Sequence, residues 1–502
     1  MTSKTQQDKL SVSLASNIKA MRERLADCSD IVYRTVRIAE RTQGLVVFLS
    51  NMVDMEAVRT DIIGKLQDMD PPSGKAEPVL WHIPVPNVTR HDNMHDAVTA
   101  VMNAEVVLLL DGQDSAYSFG VAEGKRRSVE EPSSETVVRG PREGFTEDIG
   151  VNLSLIRNKL KTDKLKTIEY IIGRESKTKV VLAFLAHIAE SATIQEVKRR
   201  LEGIDIDAVL ETGYIEELIE DDPTSPFPQF QYTERPDNAA AQLLEGRFAL
   251  LVDGTPFALI APVTAWQFLQ ASEDNNERYM IGNLLRWLRI FFLFVALFLP
   301  GTYVAVLTFH HDMLPTSLVL SIAASRESIP FPALVEALIM EICFEALREA
   351  GIRLPKAVGQ AVSILGALVI GQSAVQAGIV SAPMVIVVSL TGIASFCLPR
   401  FNFAIAIRVL RFPIMILAGF LGLFGMVAGA VLLAAHLCRL NSFGKPYLEG
   451  VAPYIKGDNN DIFVRAPWWE LGSRPRTLGG KNLRRMSRGT MTKHNYNRMP
   501  EW

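Results

Sequence analysis

Three short clusters in this sequence contain residue types that could do chemistry, but each fails on spacing or context. The run Gly120-Val-Ala-Glu-Gly-Lys-Arg-Arg-Ser128 is similar to a phosphate-binding loop, yet its glycines are one residue too close and no hydroxyl follows the lysine. His91 and His95 could share a helical face as metal ligands do, but no third ligand lies at a supporting spacing, so a solvated pair on a helix is expected. His310-His311-Asp312 follows an apolar run, where a plain interfacial loop is the alternative to a proton-sensing role. The sequence therefore predicts no catalytic residue, no metal site and no cofactor.

Charge is distributed unevenly along the 502 residues. The net charge is -3, the one basic cluster lies in the carboxyl-terminal tail, and long uncharged runs begin after Arg289. Such a balance creates no overall field that would attract nucleic acid, so nucleic-acid binding is not supported. The asymmetry instead predicts a water-facing amino-terminal part followed by a lipid-facing part.

The apolar runs beyond Arg289 are long enough to cross a bilayer, because a helix crosses the hydrocarbon core in about 20 residues. The first crossing extends from there to His310. A charge-free stretch with a turn near Pro383 predicts a helical hairpin over 357–378 and 383–397, and 412–438 can also span. These four crossings predict an all-α membrane domain.

One helix candidate between the crossings, 332–350, is too charged to face lipid. It carries Glu336, Glu341, Glu345 and Arg348, and the last three share one helical face. An ionisable group at mid-bilayer costs about 2.5 to 3.5 kcal/mol, whereas an apolar residue returns only about 0.3 to 0.6 kcal/mol. The helix therefore either lies at the interface with solvated charges, or it buries its carboxylates against protein or a water-filled cavity, where they could line or gate a cation path.

Basic residues flank the predicted crossings, and the uncharged turn near Pro383 is the best candidate for the outer side. This rule places the polar amino-terminal region in the cytoplasm, and the basic tail prefers the same side. Both placements require an even number of crossings. Since both ends of the last crossing are basic, the sequence leaves the topology open.

Before the membrane domain, short apolar strands alternate with amphipathic helices in two successive sets, which predicts two α/β lobes. The Asp253-Gly254 turn predicts a hairpin in the second set. The expected fold class is a multi-domain membrane protein with two α/β soluble lobes followed by an all-α transmembrane domain. The expected limits are 1–130 and 131–275 for the cytoplasmic lobes, 276–445 for the membrane domain and 446–502 for a polar basic tail.

The junction of the lobes, 131–148, is charge-dense and broken by proline and glycine. Its arginines and glutamates could form a surface that docks another chain or lobe; the alternative is a solvated linker. The candidates on this surface are Glu135, Arg139, Arg142 and Glu143.

The same run, continued through Asn152-Leu-Ser-Leu-Ile-Arg-Asn-Lys159, resembles the central signature of the spore germination receptor A-subunit family, the GerA family. Further matches follow in family order: Arg326-Glu-Ser-Ile-Pro-Phe-Pro332, Phe344-Glu-Ala-Leu-Arg-Glu-Ala-Gly-Ile-Arg-Leu-Pro355, Gly366-Ala-Leu-Val-Ile-Gly371, Ala374-Val-Gln-Ala-Gly378, Pro383-Met-Val-Ile-Val-Val388 and Asn441-Ser-Phe-Gly-Lys-Pro-Tyr447. Lys445 stands where a small apolar residue is expected, and Asn158 where a basic one is expected.

The resemblance implies a non-enzymatic subunit in the inner membrane of a dormant endospore, with its lobes on the core side. It implies a transporter-like B subunit that binds the germinant and a lipoprotein C subunit as partners. Together these subunits release monovalent cations and dipicolinic acid when a nutrient arrives. The resemblance further implies that A subunits form a homo-oligomer that acts as a nutrient-gated cation channel.

On that basis the predicted hairpin is the pore candidate, since Gln372, Ser373 and Gln376 offer polar groups to a lumen. The acidic helix supplies the gating candidates Glu336, Glu341, Glu345 and Arg348, and Arg326 and Glu327 join the interface candidates. The alternative is that the small residues around Gln372, Ser373 and Gln376 serve only to pack the helices together. Two rival functions remain open: a secondary transporter, although no inverted repeat is visible, and a non-conducting scaffold.

Overall fold

The computed structural model describes residues 8–38, 42–67, 83–121, 131–132, 135, 137, 139–355, 369, 371–455, 461–480 and 482–486. They form two compact units, the first within 1–220, 230–262 and 472–502, and the second within 221–229 and 263–471. The predicted domain limits stay predictions, because units defined by contacts and domains defined by composition divide a chain on different criteria.

The first unit begins with a lobe built on a five-stranded sheet of order β1-β2-β4-β5-β3, in which every neighbouring pair is antiparallel. Buried residues of the strands alternate between two clusters, so helices cover both faces of the sheet. The elements are α1 (Leu14–Arg24), β1 (Ile31–Ile38), β2 (Thr42–Leu49), α2 (Met55–Ala57, π-helical Val58–Gly64 and Lys65–Gln67), β3 (Val88–His91), α3 (Met94–Met102), β4 (Val106–Leu110) and β5 (Ala116–Phe119).

The second lobe of this unit repeats the architecture with the sheet order β6-β7-β9-β10-β8, again antiparallel throughout. The predicted pair of α/β lobes is confirmed, including the hairpin at the Asp253-Gly254 turn. The elements are α4 (Ile149–Lys159), β6 (Leu165–Ile172), β7 (Thr178–Leu185), α5 (Ser191–Glu202), α6 (Thr212–Ile219), β8 (Gln231–Thr233), α7 (Pro236–Leu244), β9 (Phe248–Val252) and β10 (Ala258–Ala261).

The two lobes are tandem copies of one structural unit. Each opens with an 11-residue helix whose fourth residue is a buried asparagine, and that side chain exchanges two hydrogen bonds with the backbone six residues earlier. Each also has an Asp-Gly turn whose carboxylate accepts a hydrogen bond from the first amide of the same helix. The matching residues are Asn17 and Asn152 in the helices, and Asp111 and Asp253 in the turns. The two lobes therefore share one architecture down to these contacts.

The second unit is helical. By length and composition, two of its described helices could cross a membrane, α9 and α13, and α12 is apolar but shorter. The elements are α8 (Glu273–Asn276), α9 (Tyr279–Phe309), α10 (Thr316–Arg326), α11 (Ala333–Arg353), α12 (Ala382–Phe396), α13 (Phe401–Arg439), β11 (Asn441–Ser442) and β12 (Lys445–Pro446). Most of the first half of the predicted hairpin, 357–368 and 370, lies outside the described residues.

The helix α13 is a hairpin rather than one rod. Gly422 has φ 62° and ψ -146°, a left-handed conformation that interrupts the helix and that glycine adopts without strain. A methyl group on Gly429 would lie 3.6 Å from Ile414 Cγ1, although the two residues would be about 22 Å apart in a continuous helix. The predicted single crossing at 412–438 therefore belongs to two antiparallel arms, 401–421 and 423–439.

The chain enters and leaves the helical unit at the same end. The turn at Gly422 lies against Phe309, where α9 ends, so α9 and the turn between the two arms of α13 meet at one end of the unit. At the opposite end, residues before α9 meet residues after α13: Ala265 N–H donates to the Tyr447 carbonyl oxygen at 2.8 Å.

Candidate functional site

The acidic face of α11 packs against the first arm of α13 and forms a row of ion pairs, here called the charged seam. Arg411 Nη1 lies 2.5 Å from Glu341 Oε2, and these side chains are 1% and 0% exposed. Arg408 Nη1 lies 3.0 Å from Glu345 Oε2. Arg411 also donates from Nε to the Ala296 carbonyl oxygen of α9 at 2.8 Å, so the seam joins three helices.

The seam favours burial for one of the two carboxylates of this helix. Glu341 is buried against protein, whereas the Glu345 side chain is 28% exposed, and each carboxylate faces an arginine. A buried carboxylate stays charged only when it is paired, because its desolvation otherwise costs roughly several kcal/mol. The pairing is incomplete, since among the described residues Oε1 of Glu341 and Oε1 of Glu345 accept no hydrogen bond.

Arg348 closes the seam towards the end of α11. Its guanidinium lies 4.6 Å from the centre of the Phe396 ring and 5.7 Å from that of Phe401. Its Nε and Nη1 are buried and donate no hydrogen bond within the described part of the chain. The aromatic faces stabilise the cation, as is usual for arginine over phenylalanine.

The predicted pore residues Gln372, Ser373 and Gln376 lie on a short described helical stretch, 371–376, and all three are exposed. The stretch ends at Gly378, whose φ is 68°. The fourth gating candidate, Glu336, is fully buried and does not join the seam; it faces Arg326 at 3.4 Å. The structure thus pairs a predicted gating residue with a predicted interface residue.

The interface candidates at the junction of the lobes have different partners among the described residues. The Glu135 carboxylate accepts from Thr233 Oγ1 at 2.9 Å, whereas Glu143 pairs with Lys159 at 2.7 Å. Arg142 lies 3.8 Å from Glu131, and both Arg139 and Glu327 are exposed.

The two enzyme-like motifs of the amino-terminal lobe have different outcomes. Of the phosphate-loop candidate, only Gly120 and Val121 belong to the described residues. The expectation of a helical pair for His91 and His95 is wrong. His91 ends strand β3, where its Nε2 lies 2.8 Å from Ser118 Oγ, while His95 belongs to α3.

Sequence reasoning missed a buried contact that joins the two lobes, here called the interlobe clamp. Arg157 donates from Nε and Nη2 to the two carboxylate oxygens of Asp30, at 2.8 and 2.9 Å. Thr167 Oγ1 donates to the same carboxylate at 2.8 Å, and the Ser29 N–H donates to the Thr167 carbonyl oxygen at 2.8 Å. Burial raises the pKa of the neighbouring Cys28 thiol, so this cysteine stays a thiol. Arg157 lies within the run that carries the family resemblance, but no local pattern identifies its partner.

A cavity of about 420 Å³ lies beside the clamp, between the lobes. Its lining combines the carboxylates of Asp30, Asp148, Glu169 and Asp253 with the ammonium group of Lys179. Asp148 and Asp253 use one oxygen each to bind the amides at the start of α4, which leaves further acceptor capacity. Groups of both charges in a space of this size suit a small polar molecule.

Comparison with known proteins gives a match over most of the chain. The family model described as Bacillus/Clostridium GerA spore germination protein matches residues 19–477. "Uncharacterized membrane protein YfkQ" of Bacillus subtilis is 51% identical over 94% of this chain and 93% of that protein. "Spore germination protein KA" of Bacillus subtilis is 43% identical over 93% and 87% of the two chains, and "Spore germination protein GerLA" of Bacillus cereus is 40% identical over 93% and 95%. The crystal structure of the N-terminal domain of the A subunit of the Bacillus megaterium spore germinant receptor GerK3 aligns with 51% of this chain and 96% of that chain, at 34% identity and a TM-score of 0.41.

Proposed function

This chain belongs to the GerA family of spore germination proteins, and from that membership we propose that it is the A subunit of a nutrient receptor that triggers endospore germination. Relatives named as spore germination proteins align with it over most of their length, which supports the same role for the whole chain. Its partners are then a transporter-like B subunit and a lipoprotein C subunit. The protein resides in the spore inner membrane, with both lobes on the core side.

The helical unit supports the membrane location through what it leaves exposed. Only 33% of the apolar window of α9 and 22% of that of α13 is buried within the structure. Phe291, Phe294, Phe420 and Phe424 are each more than half exposed. Leaving such side chains in water costs about 1.5 to 3 kcal/mol each, so these faces require lipid or other helices.

Within the membrane, the subunit oligomerises and forms or gates a cation path. The single observation that carries this proposal concerns two buried carboxylate oxygens of the seam, on Glu341 and Glu345, which accept no hydrogen bond from the residues that the structure describes. A buried acceptor needs a partner, and a water molecule or a cation provides one. Gln372, Ser373 and Gln376 form the exposed polar stripe of the path, and Arg348, Arg408 and Arg411 hold the seam closed.

Potassium flux through liposomes that contain the purified full-length chain tests this proposal. We expect flux in the wild type and a change of at least tenfold in the Glu341→Gln variant, since the substitution removes the charge that faces Arg411. The double variant Glu341→Gln/Arg411→Gln leaves no unpaired charge and separates loss of conduction from loss of folding. The matched control is Glu349→Gln, which removes a carboxylate that is 60% exposed and forms an ion pair with Arg353 of its own helix.

The outcomes separate the rival functions. Flux that saturates with an organic solute would indicate a secondary transporter, and absence of flux under every condition would indicate a non-conducting scaffold.

The cavity between the lobes favours a second activity, binding of a small polar molecule by the soluble part. Lys179 is the one cation among the named lining groups. Lys179→Met should therefore weaken the binding of a ligand that has a carboxylate at least tenfold, and the binding of a neutral sugar much less. Calorimetric titration of the full chain with amino acids and sugars measures this difference. Equal binding by the wild type and the variant would show that the cavity is not the site.

A further inference from the structure

A buried carboxylate outside the charged seam holds the turn that follows the polar stripe. Glu336 of α11 is 0% exposed, and its Oε1 accepts hydrogen bonds from the Ser381 amide, at 2.6 Å, and from the Ser381 hydroxyl. Ser381 is the N-cap residue of α12, and its hydroxyl oxygen accepts from the Met384 amide. One carboxylate therefore fixes the place where α12 begins and the preceding segment ends.

The loop between α10 and α11 holds the same turn from its other side. Arg326, the last residue of α10, places Nε 3.4 Å from Glu336 Oε2. A methyl group added to Gly378 would lie 3.4 Å from the Ser328 carbonyl oxygen, so this loop passes directly against the turn 378–381. The exposed polar stripe is thereby connected to α10 and α11 through buried contacts.

We propose that Glu336 is a positioning residue, which holds the polar stripe of Gln372, Ser373 and Gln376 in the orientation that faces the cation path. This inference rests on the proposed cation path. Gln372, Ser373 and Gln376 lie within about 100° of one helical face, so a rotation of that size would turn the stripe away from a lumen. The turn 378–381 is the described connection that opposes such a rotation. Breaking it would leave a buried carboxylate and a buried amide unsatisfied, which makes the held position the stable one.

This role differs from that of a residue that lines the path. Both oxygens of Glu336 face protein groups, Ser381 on one side and Arg326 on the other, and the side chain has no exposed surface. Its effect on ions is therefore indirect, through the orientation of the stripe.

Two measurements on the full-length chain in liposomes test the proposal: the ratio of potassium to sodium flux, and the rate at which a water-soluble maleimide modifies a cysteine introduced by Gln376→Cys. Glu336→Gln keeps an acceptor for Ser381 but removes the charge facing Arg326. Ser381→Ala removes the hydroxyl donor and leaves the ion pair. Glu349→Gln is the matched control, because this carboxylate lies on the same helix and is 60% exposed.

We expect each of the first two changes to alter the modification rate at least tenfold and to change the flux ratio, while Glu349→Gln behaves as the wild type. Ser381→Ala provides the same test if Glu336→Gln does not fold. Folded variants with wild-type labelling and flux ratio overturn the proposal. If the wild type conducts nothing, the cation path fails, while altered labelling at position 376 in the variants still supports the positioning role.

Discussion

The interlobe clamp offers the sharpest test of how the soluble unit is held together. Arg157 and Asp30 are 1% and 4% exposed and share two hydrogen bonds. Arg157→Met leaves the carboxylate buried with the Thr167 hydroxyl as its remaining side-chain donor among the described residues. Removal of one partner from a buried ion pair costs about 3 to 5 kcal/mol, a large share of the roughly 5 to 15 kcal/mol that stabilises a domain.

A second substitution distinguishes loss of the pair from loss of packing. In Arg157→Met/Asp30→Leu no charge is left buried, and apolar side chains of similar size occupy the same space. Replacement of a buried pair by apolar residues is often close to neutral, so we expect the double variant to regain most of the loss, to within about 1 kcal/mol of the wild type.

Urea unfolding of the full-length chain in detergent measures these differences, with hydrogen exchange of peptides from β1 and β6 as the local readout. The control is Arg174→Met, because Arg174 pairs with Asp205 at the surface, where the two side chains are 63% and 77% exposed. An exposed pair contributes about 0 to 1 kcal/mol. A loss for Arg157→Met no larger than that of the control would refute the reasoning.

Three further predictions concern pH, backbone conformation and the hairpin. Burial beside Glu220 raises the pKa of Glu216 from 4.5 to about 7. The folded state therefore binds this proton more tightly than the unfolded chain does, and the free energy of unfolding falls as pH rises between these two values. Glu216→Gln should stabilise the protein by on the order of 1 kcal/mol at pH 8 but not at pH 4. A pH series of unfolding curves measures this difference. Gly422→Ala places a methyl group 2.8 Å from a ring carbon of His310 at φ 62°, so its melting temperature should fall further than that of Gly444→Ala, where φ is 71° and nothing lies within 4 Å. Cysteines introduced by Ile414→Cys and Gly429→Cys should form a disulfide under mild oxidation, detected by mass spectrometry; failure to form it would indicate a continuous helix.

The charged helix illustrates how far local patterns lead. Hydropathy alone established that Glu341 and Glu345 could not face lipid, because the cost of burying charge is a property of the residue. It could not identify Arg411 and Arg408 as partners, which lie 70 and 63 residues further along the chain. Pairing over such separations depends on how helices pack, and no spacing rule describes it.

The hairpin in α13 also could not be predicted from local sequence patterns. The run around Gly422 is apolar on both sides, and glycine is common inside membrane helices, so composition favours one long crossing. Only the left-handed backbone at this residue reveals the reversal. The matching helix starts of the two lobes were equally hidden, since they are marked by hydrogen bonds of Asn17 and Asn152 rather than by a repeated sequence motif.

The sequence by itself determined the family, the alternation of strands and helices in two lobes, and the presence of apolar segments that avoid water. These properties follow from residue types and short-range periodicity, which each segment carries independently of the rest. Tertiary structure alone decided which arginine neutralises which carboxylate, how Asp30 and Arg157 join the lobes, and where Glu336 anchors a distant turn. Those contacts connect residues far apart in the chain, and their energies exist only once packing has excluded water around them.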